Sequence, residues 1–313
     1  MPIWCPDRRV VGHGWGMTAG FFDGVTDARL TRPDGRVVAW TEWGSGSTPV
    51  LRVPGVPGSR YGLRADRSAW AERDLRMITT ERPGFGASTP LPGRGFAEHA
   101  DDLAAILDHL EIESLHVIGG SGAAPHELAF AARHPDRVTA MTILVGIAPC
   151  TDDEVAEMIP INQEGHRLVL ANDRPGLESL LLANRNALLA DPLGGFREVM
   201  ERAPAADQQV MSDPGWQEGL IAQLTEALAQ GVQGWADESF AILRPWVDID
   251  IAAVATSLTW WHALSDANCP LSAAQRLVAA LPNARLVRFE DEDGHLAAYH
   301  REPQILDELL TRH

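Results

Sequence analysis

Short apolar runs alternate with helical periodicities along most of the chain. Residues 28–30 and 37–41 are apolar runs flanking Arg32-Pro33-Asp34-Gly35, and Pro-Asp-Gly is turn chemistry, so the chain is expected to open with a hairpin. Two further short strands are expected at 50–53 and 75–79, each ending in a glycine-rich loop. Phe96, Ala100, Leu103, Ala104, Leu107 and Leu110 then recur at intervals of three and four, the mark of an amphipathic helix, with Glu98, Asp101, Asp102 and Asp108 expected to face outward. A strand at 115–118, a helix at 122–133 and a strand at 138–147 continue the alternation, which implies a parallel sheet covered on both faces.

After Pro149 the rhythm changes. From 151 to 246 the patterns are helical only, among them 177–189 and 216–228, with breaks at Pro160, Pro175, Pro192, Pro204 and Pro214. Alternation resumes with a strand at 258–264, a helix at 273–281, a strand at 285–289 and a last helix at 303–310. The organisation read from this is an N-terminal extension over 1–20, an α/β core over 21–150 and 247–313, and a helical cap over 151–246. No internal repeat or long low-complexity linker interrupts it, so the cap is expected to pack on the core.

Composition narrows the function. With 313 residues, 45% hydrophobic and 22% charged, the chain suits one large domain or a domain with an inserted piece. Its net charge of -17 argues against nucleic acid and anionic membranes as partners. All 26 basic residues are arginine, which excludes a lysine Schiff base, a Ser-Lys dyad and a Walker-type phosphate loop. The first twenty residues lack the apolar stretch of a secretory signal, and no uninterrupted apolar run is long enough for a membrane span, so a soluble cytoplasmic protein is expected. Cys5, Cys150 and Cys269 form no C-x-x-C pair and are expected as reduced thiols, with no structural zinc.

Candidate chemistry concentrates at Val117-Ile118-Gly119-Gly120-Ser121-Gly122-Ala123-Ala124. A serine among glycines between an apolar strand and a helix fits a nucleophile elbow, where a sharp turn needs small neighbours, although Ala123 stands where the pattern has a second glycine. The strand at 258–264 is followed by Asp266 and that at 285–289 by His295. Ser121, Asp266 and His295 thus occur in the order Ser, Asp, His, each just past a strand's carboxyl end. Asp152 and Asp153 compete for the role of acid, but they also make good helix-start residues.

With these motifs the chain resembles the α/β-hydrolase fold family, specifically its cap-bearing serine hydrolases, from about Ala28 to the carboxyl terminus. The resemblance includes Pro54-Gly55-Val56-Pro57-Gly58-Ser59-Arg60, similar to the family's His-Gly oxyanion loop with Pro54 for histidine. It also includes Glu81-Arg82-Pro83-Gly84-Phe85-Gly86-Ala87-Ser88, similar to its Asp-Arg-Pro-Gly-x-Gly-x-Ser loop with Glu81 for aspartate. An oxyanion hole needs backbone N–H groups; Pro54 and Pro57 have none, so Val56 and Gly122 are the expected donors. In the mechanism this implies, His295 takes the Ser121 proton, Asp266 fixes the imidazole tautomer and the two amides hold the oxyanion.

The substrate is read less directly. A carboxylic ester or lactone hydrolase acting on a small or medium apolar molecule leads. An aminopeptidase of the proline-iminopeptidase type would need cap carboxylates such as Glu154, Glu157 or Glu164 in the pocket. A non-hydrolytic biosynthetic catalyst or binding protein on the same fold is kept open by Pro54 and Ala123. Neither a metal nor an organic cofactor is expected, since no H-E-x-x-H or G-x-G-x-x-G pattern occurs. Trp216, Trp235, Phe240 and Trp246 are either a pocket wall or packing. His99, His109, His116 and His134 are read as surface or packing residues, and His126 as pocket-lining or the end of a solvated turn. The run Glu290 to Asp293 is read as a solvated loop whose field favours a His295 imidazolium.

Overall fold

The computed structural model describes residues 20–201, 203–290 and 293–312. The extension expected over 1–20, with Cys5, therefore lies outside the described residues except for Gly20. Eight strands form one sheet: β1 (Val25–Thr31), β2 (Val37–Trp43), β3 (Thr48–Val53), β4 (Leu75–Thr80), β5 (Leu115–Gly120), β6 (Val138–Leu144), β7 (Ser257–His262) and β8 (Ala284–Arg288). Their order across the sheet is β1-β2-β4-β3-β5-β6-β7-β8. The first two pairings, β1 with β2 and β2 with β4, are antiparallel, and all the others are parallel. The opening hairpin closes as expected, with Gly35 at φ 87° and its N–H on the Arg32 carbonyl at 2.9 Å.

Both faces of the sheet are covered, because successive strand residues point to opposite sides. Leu51, Val53, Val117, Met141 and Trp260 join a core with α2 (Ala97–His109), α3 (Ala124–Arg133) and α11 (Leu271–Ala280). Val50, Ile118, Ala140 and Trp261 join a second core with α1 (Ser68–Ala71) and α12 (Glu302–Leu310). One expectation for α2 needs correcting: Asp102 is buried, not turned outward. The hairpin lies against it, and Arg36 binds its carboxylate at 2.7 and 3.0 Å while Arg32 pairs with it at 3.1 Å. A charge can be enclosed where two guanidiniums replace its water.

Between β6 and β7 the chain is helical, as its pattern implies: α4 (Asp152–Ala156), α5 (Pro160–Leu170), α6 (Arg174–Ala190), α7 (Pro192–Val199), α8 (Ala205–Met211), α9 (Pro214–Ala227) and α10 (Gln233–Ile242). Several of the prolines open helices. Asp173, Asp191 and Asp213 cap α6, α7 and α9 with Pro175, Pro192 and Pro214 in the first helical turn, accepting the N–H of Gly176, Gly194 and Trp216 at 2.8–2.9 Å. This segment meets the core through Phe85 and Val56, which pack with Leu220, Leu224 and Leu228, and through Ser59, whose hydroxyl donates to the Gln223 carbonyl at 3.0 Å.

Candidate active site

Ser121 sits at the tip of the β5–α3 turn with φ 55°, the left-handed region that a non-glycine residue enters only when its surroundings impose it. The neighbouring glycines answer to crowding. A Cβ on Gly119 would lie 2.6 Å from the Val53 carbonyl oxygen and 2.8 Å from the Ala123 Cβ, and one on Gly120 would lie 2.8 Å from the Leu144 carbonyl oxygen. Ala123 has ordinary helical angles and faces the space Gly119 leaves open, which is why alanine fits there.

Asp266 and His295 come together past the ends of β7 and β8. His295 Nδ1 and Asp266 Oδ2 are 2.8 Å apart, and Asp266 Oδ1 accepts the N–H groups of Asn268 at 2.8 Å and Cys269 at 3.0 Å. Both oxygens of this buried carboxylate are thus engaged. Burial alone would raise its pKa, but the His295 imidazole and its hydrogen bond outweigh that and hold it below the usual carboxylate value. For His295 burial works against the charged form, and the Asp266 carboxylate, its hydrogen bond and the nearby Asp207 together push the pKa above the ordinary value.

The two expected oxyanion donors are neighbours. A Cβ on Gly122 would lie 2.5 Å from Val56 Cγ2 and 3.5 Å from Val56 N, and the Val56 N–H meets no protein acceptor among the described residues. Their loop is held from behind by Arg82, which donates to the carbonyl oxygens of Pro54 and Gly55. Glu81 takes the place of the family's aspartate by a different fit. Its carboxylate accepts the Ala87 N–H at 2.8 Å, and the longer side chain is admitted because Gly86, at φ 51°, has no Cβ; one would fall 1.9 Å from Glu81 Oε1. Burial, opposed by Arg60, lifts the Glu81 pKa to about 7.

Ser121, His295, Val56 and Gly122 all open on one cavity of about 330 Å³ between the sheet and the inserted helices. Its walls are mainly leucine, isoleucine, methionine, Phe196, Trp216 and Trp235, with Asn162, His166, Asn184 and Gln223 among the few polar groups. Such a site, apolar with few polar atoms, suits a small organic molecule. Among the described residues, the one group of donors close enough to share a metal ion is Asp266, Cys269 and His295, with donor atoms within 4.8 Å. Two of these already bond to each other, and burial pushes the Cys269 thiol well above its usual range despite the Ser121 hydroxyl beside it.

The family described as alpha/beta hydrolase fold matches residues 48–300. The chain belongs to the alpha/beta hydrolase fold family. It is 24% identical to a non-heme haloperoxidase of Rhodococcus erythropolis over 259 residues, 82% of this chain and 89% of that protein. It is 34% identical to an uncharacterized hydrolase of Bacillus subtilis over 110 residues, 35% of this chain and 38% of that protein's length. Among solved structures it superposes on a thermophilic esterase from Thermogutta terrifontis with a TM-score of 0.63 and 21% identity, covering 91% of this chain and 98% of the other. No described helix is long and apolar enough to cross a membrane.

Other candidates fall elsewhere in this hydrolase fold. Asp152 and Asp153 are exposed in the first turn of α4, behind a capping box of Thr151 and Glu154, so they are helix-start residues. None of Glu154, Glu157 and Glu164 lines the cavity; Glu154 is bound by Ser272 and Arg276, and Glu164 by Arg167. Of the four aromatics, Trp216 and Trp235 line the cavity, Phe240 lies under Arg174 and Arg244, and Trp246 packs on Phe96. His109 is exposed against Trp40, and His134 bonds to Asp101 at 3.0 Å.

His126 neither lines the pocket nor ends a solvated turn. It is fully buried, 2.8 Å from Glu238 of α10 and 3.0 Å from His99, and Glu238 also pairs with Arg82 at 3.3 Å and with Arg94. Burial would raise the Glu238 pKa, but His126, Arg94 and Arg82 hold it well below the usual value. Of the acidic run, only Glu290 and Asp293 are described, and Asp293 departs from the solvated loop expected. Asp291 and Glu292 lie outside the described residues, Glu290 is exposed, and Asp293 is buried and bound by Arg301 at 2.6 and 3.1 Å. Among the described residues, the carboxylates that favour a charged His295 are Asp266 and Asp207, and sequence reasoning missed Asp207.

Proposed function

We propose that this alpha/beta hydrolase cleaves a carboxylic ester or lactone of small to medium apolar character through an acyl-enzyme on Ser121, with α4 to α10 as its cap. The observation that carries the reading is that His295, paired with buried Asp266 at 2.8 Å, opens on the same apolar cavity as a left-handed Ser121 and Val56. In this mechanism His295 Nε2 takes the hydroxyl proton as Ser121 Oγ bonds to the acyl carbon. Val56 and Gly122 N–H groups stabilise the oxyanion, and His295 returns the proton to the leaving alkoxide as the acyl–oxygen bond breaks. Water then attacks the acyl-enzyme with His295 as base, releasing the acid and restoring Ser121. The absence of any carboxylate from the cavity wall among the described residues disfavours an aminopeptidase, because a protonated amino terminus would lie there without a counter-charge.

The test is to assay p-nitrophenyl esters of two to ten acyl carbons, simple lactones and aminoacyl p-nitroanilides side by side. The reading expects turnover of esters or lactones, lost on the order of a thousandfold or more in Ser121→Ala, and none of the anilides. Anilide turnover with inert esters would overturn it.

A further inference from the structure

Asp207 belongs to the cap, on α8, yet its carboxylate lies against the loop that carries His295. Oδ1 accepts the Leu296 N–H at 3.1 Å, and the Gly294 backbone approaches so closely that a Cβ there would fall 2.5 Å from Oδ2. The two residues flanking His295 in sequence are therefore both seated on one cap side chain. Asp207 has no solvent exposure, its carboxylate is held by the backbone N–H groups of Leu296 and Gly294, and no guanidinium pairs with it among the described residues. A buried carboxylate held by backbone N–H groups with no cation beside it is only partly compensated, and a cation forming near it is the compensation its surroundings leave open. In the mechanism above, that cation is the His295 imidazolium.

We propose that Asp207 is a positioning residue through which the cap sets both the aim and the base strength of His295. The inference deepens the serine hydrolase reading and rests on His295 acting as its base. Asp266 fixes the ring from the core at Nδ1, and Asp207 fixes the loop from the cap and adds a second negative field. Among the described residues the other charged or titratable groups near the ring do not take this part: the Cys269 thiol, with its sulfur within 4.8 Å of donor atoms of His295 and Asp266, is pushed by burial well above its usual range and stays neutral. His262 is buried, with its two nitrogens engaged by Trp260 at 3.1 Å and the Cys269 carbonyl at 2.8 Å, and Asp293 is bound by Arg301. The electrostatic picture agrees: burial and the Asp266 charge raise the Asp207 pKa, the Leu296 and Gly294 N–H groups and the His295 charge act against it, and His295 is raised in return.

Asp207→Asn keeps the shape and the acceptor for Leu296 but deletes the charge. NMR titration of the His295 imidazole in a Ser121→Ala background is expected to give a pKa lower by about half a unit to one unit in Asp207→Asn than with Asp207 present. The acidic limb of kcat/KM in the enzyme with Ser121 should move down equally. Asp207→Ala, which also loses the acceptor, should lower kcat by about tenfold with KM changed less than threefold, and Asn should restore most of that loss without restoring the limb. The titration needs no turnover, so a protein inert toward esters would sink the hydrolase reading while the imidazole shift still decides this one. Should Asp207→Asn not fold, Asp207→Ser carries the same titration. Gly294→Ala supplies an independent arm: it should lower kcat, and combining it with Asp207→Ala should remove most of that added loss, since the atoms its Cβ meets are those of Asp207. An imidazole pKa that stays put in Asp207→Asn or Asp207→Ser, or a Gly294→Ala loss that persists without the Asp207 carboxylate, overturns the proposal.

Discussion

Asp266 offers one carboxylate oxygen to His295 Nδ1 at 2.8 Å and gives the other to the N–H groups of Asn268 and Cys269. The backbone turn after β7 thereby fixes the carboxylate, and the carboxylate fixes the ring. Asn in its place can keep the shape while presenting an amide to Nδ1, which permits the wrong imidazole tautomer. Asp266→Asn is therefore expected to lower kcat by a factor on the order of a thousand or more, whereas Asp152→Asn and Asp153→Asn, exposed on α4, should stay within about twofold. Steady-state kinetics of the three variants on one ester check this ranking.

Glu238 is the counter-charge for Arg82 and Arg94 in a site closed to water, and Arg82 in turn holds the Pro54 and Gly55 carbonyls beside the Val56 N–H. Removing one partner of a buried ionic cluster leaves the others uncompensated, at roughly 3–5 kcal/mol. Glu238→Gln should lower unfolding stability by about 3 kcal/mol in denaturant titration. Because the Glu238 pKa is depressed in the fold, the stability it contributes is present above the unfolded carboxylate value and is lost as pH falls toward the folded one. The gap between wild type and Glu238→Gln should therefore narrow in acid.

Glu290 is exposed and pairs loosely with Arg301 at 3.5 Å. Solvent screens such a charge, and among the described residues the influences that raise His295 are Asp266 and Asp207. Glu290→Gln should leave the acidic limb of kcat/KM within about 0.2 units of wild type. That limb itself should lie above the ordinary histidine value of about 6.5, because the imidazole must be neutral to act as base.

Much of this was legible along the chain because the signals are local. Strand and helix periods, the turn at Arg32 to Gly35, and the placement of Ser121, Asp266 and His295 just past strand ends each need only a few neighbouring residues. What escaped is what depends on partners far away in sequence. Asp207 meets Leu296 across 89 residues and His126 meets Glu238 across 112, and nothing in the local pattern of a helix between β6 and β7 singles out one acid from the next. Asp102 was misplaced for the same reason: helical periodicity puts it with the polar residues, and only the hairpin arginines explain its burial. The fit of Glu81 depends on Gly86, which reads simply as a loop glycine until the carboxylate is seen to occupy its missing side chain.

The central claim is that Ser121 is a nucleophile activated by His295 within reach of the cavity. Intact-mass and peptide mapping after treatment with a fluorophosphonate probe test nucleophile, activation and access together. The expected result is a single adduct on the peptide containing Ser121, formed in wild type, absent in Ser121→Ala and slowed on the order of a hundredfold or more in His295→Ala. An adduct on another residue, or labelling of Ser121 that proceeds at the wild-type rate without His295, would contradict the account.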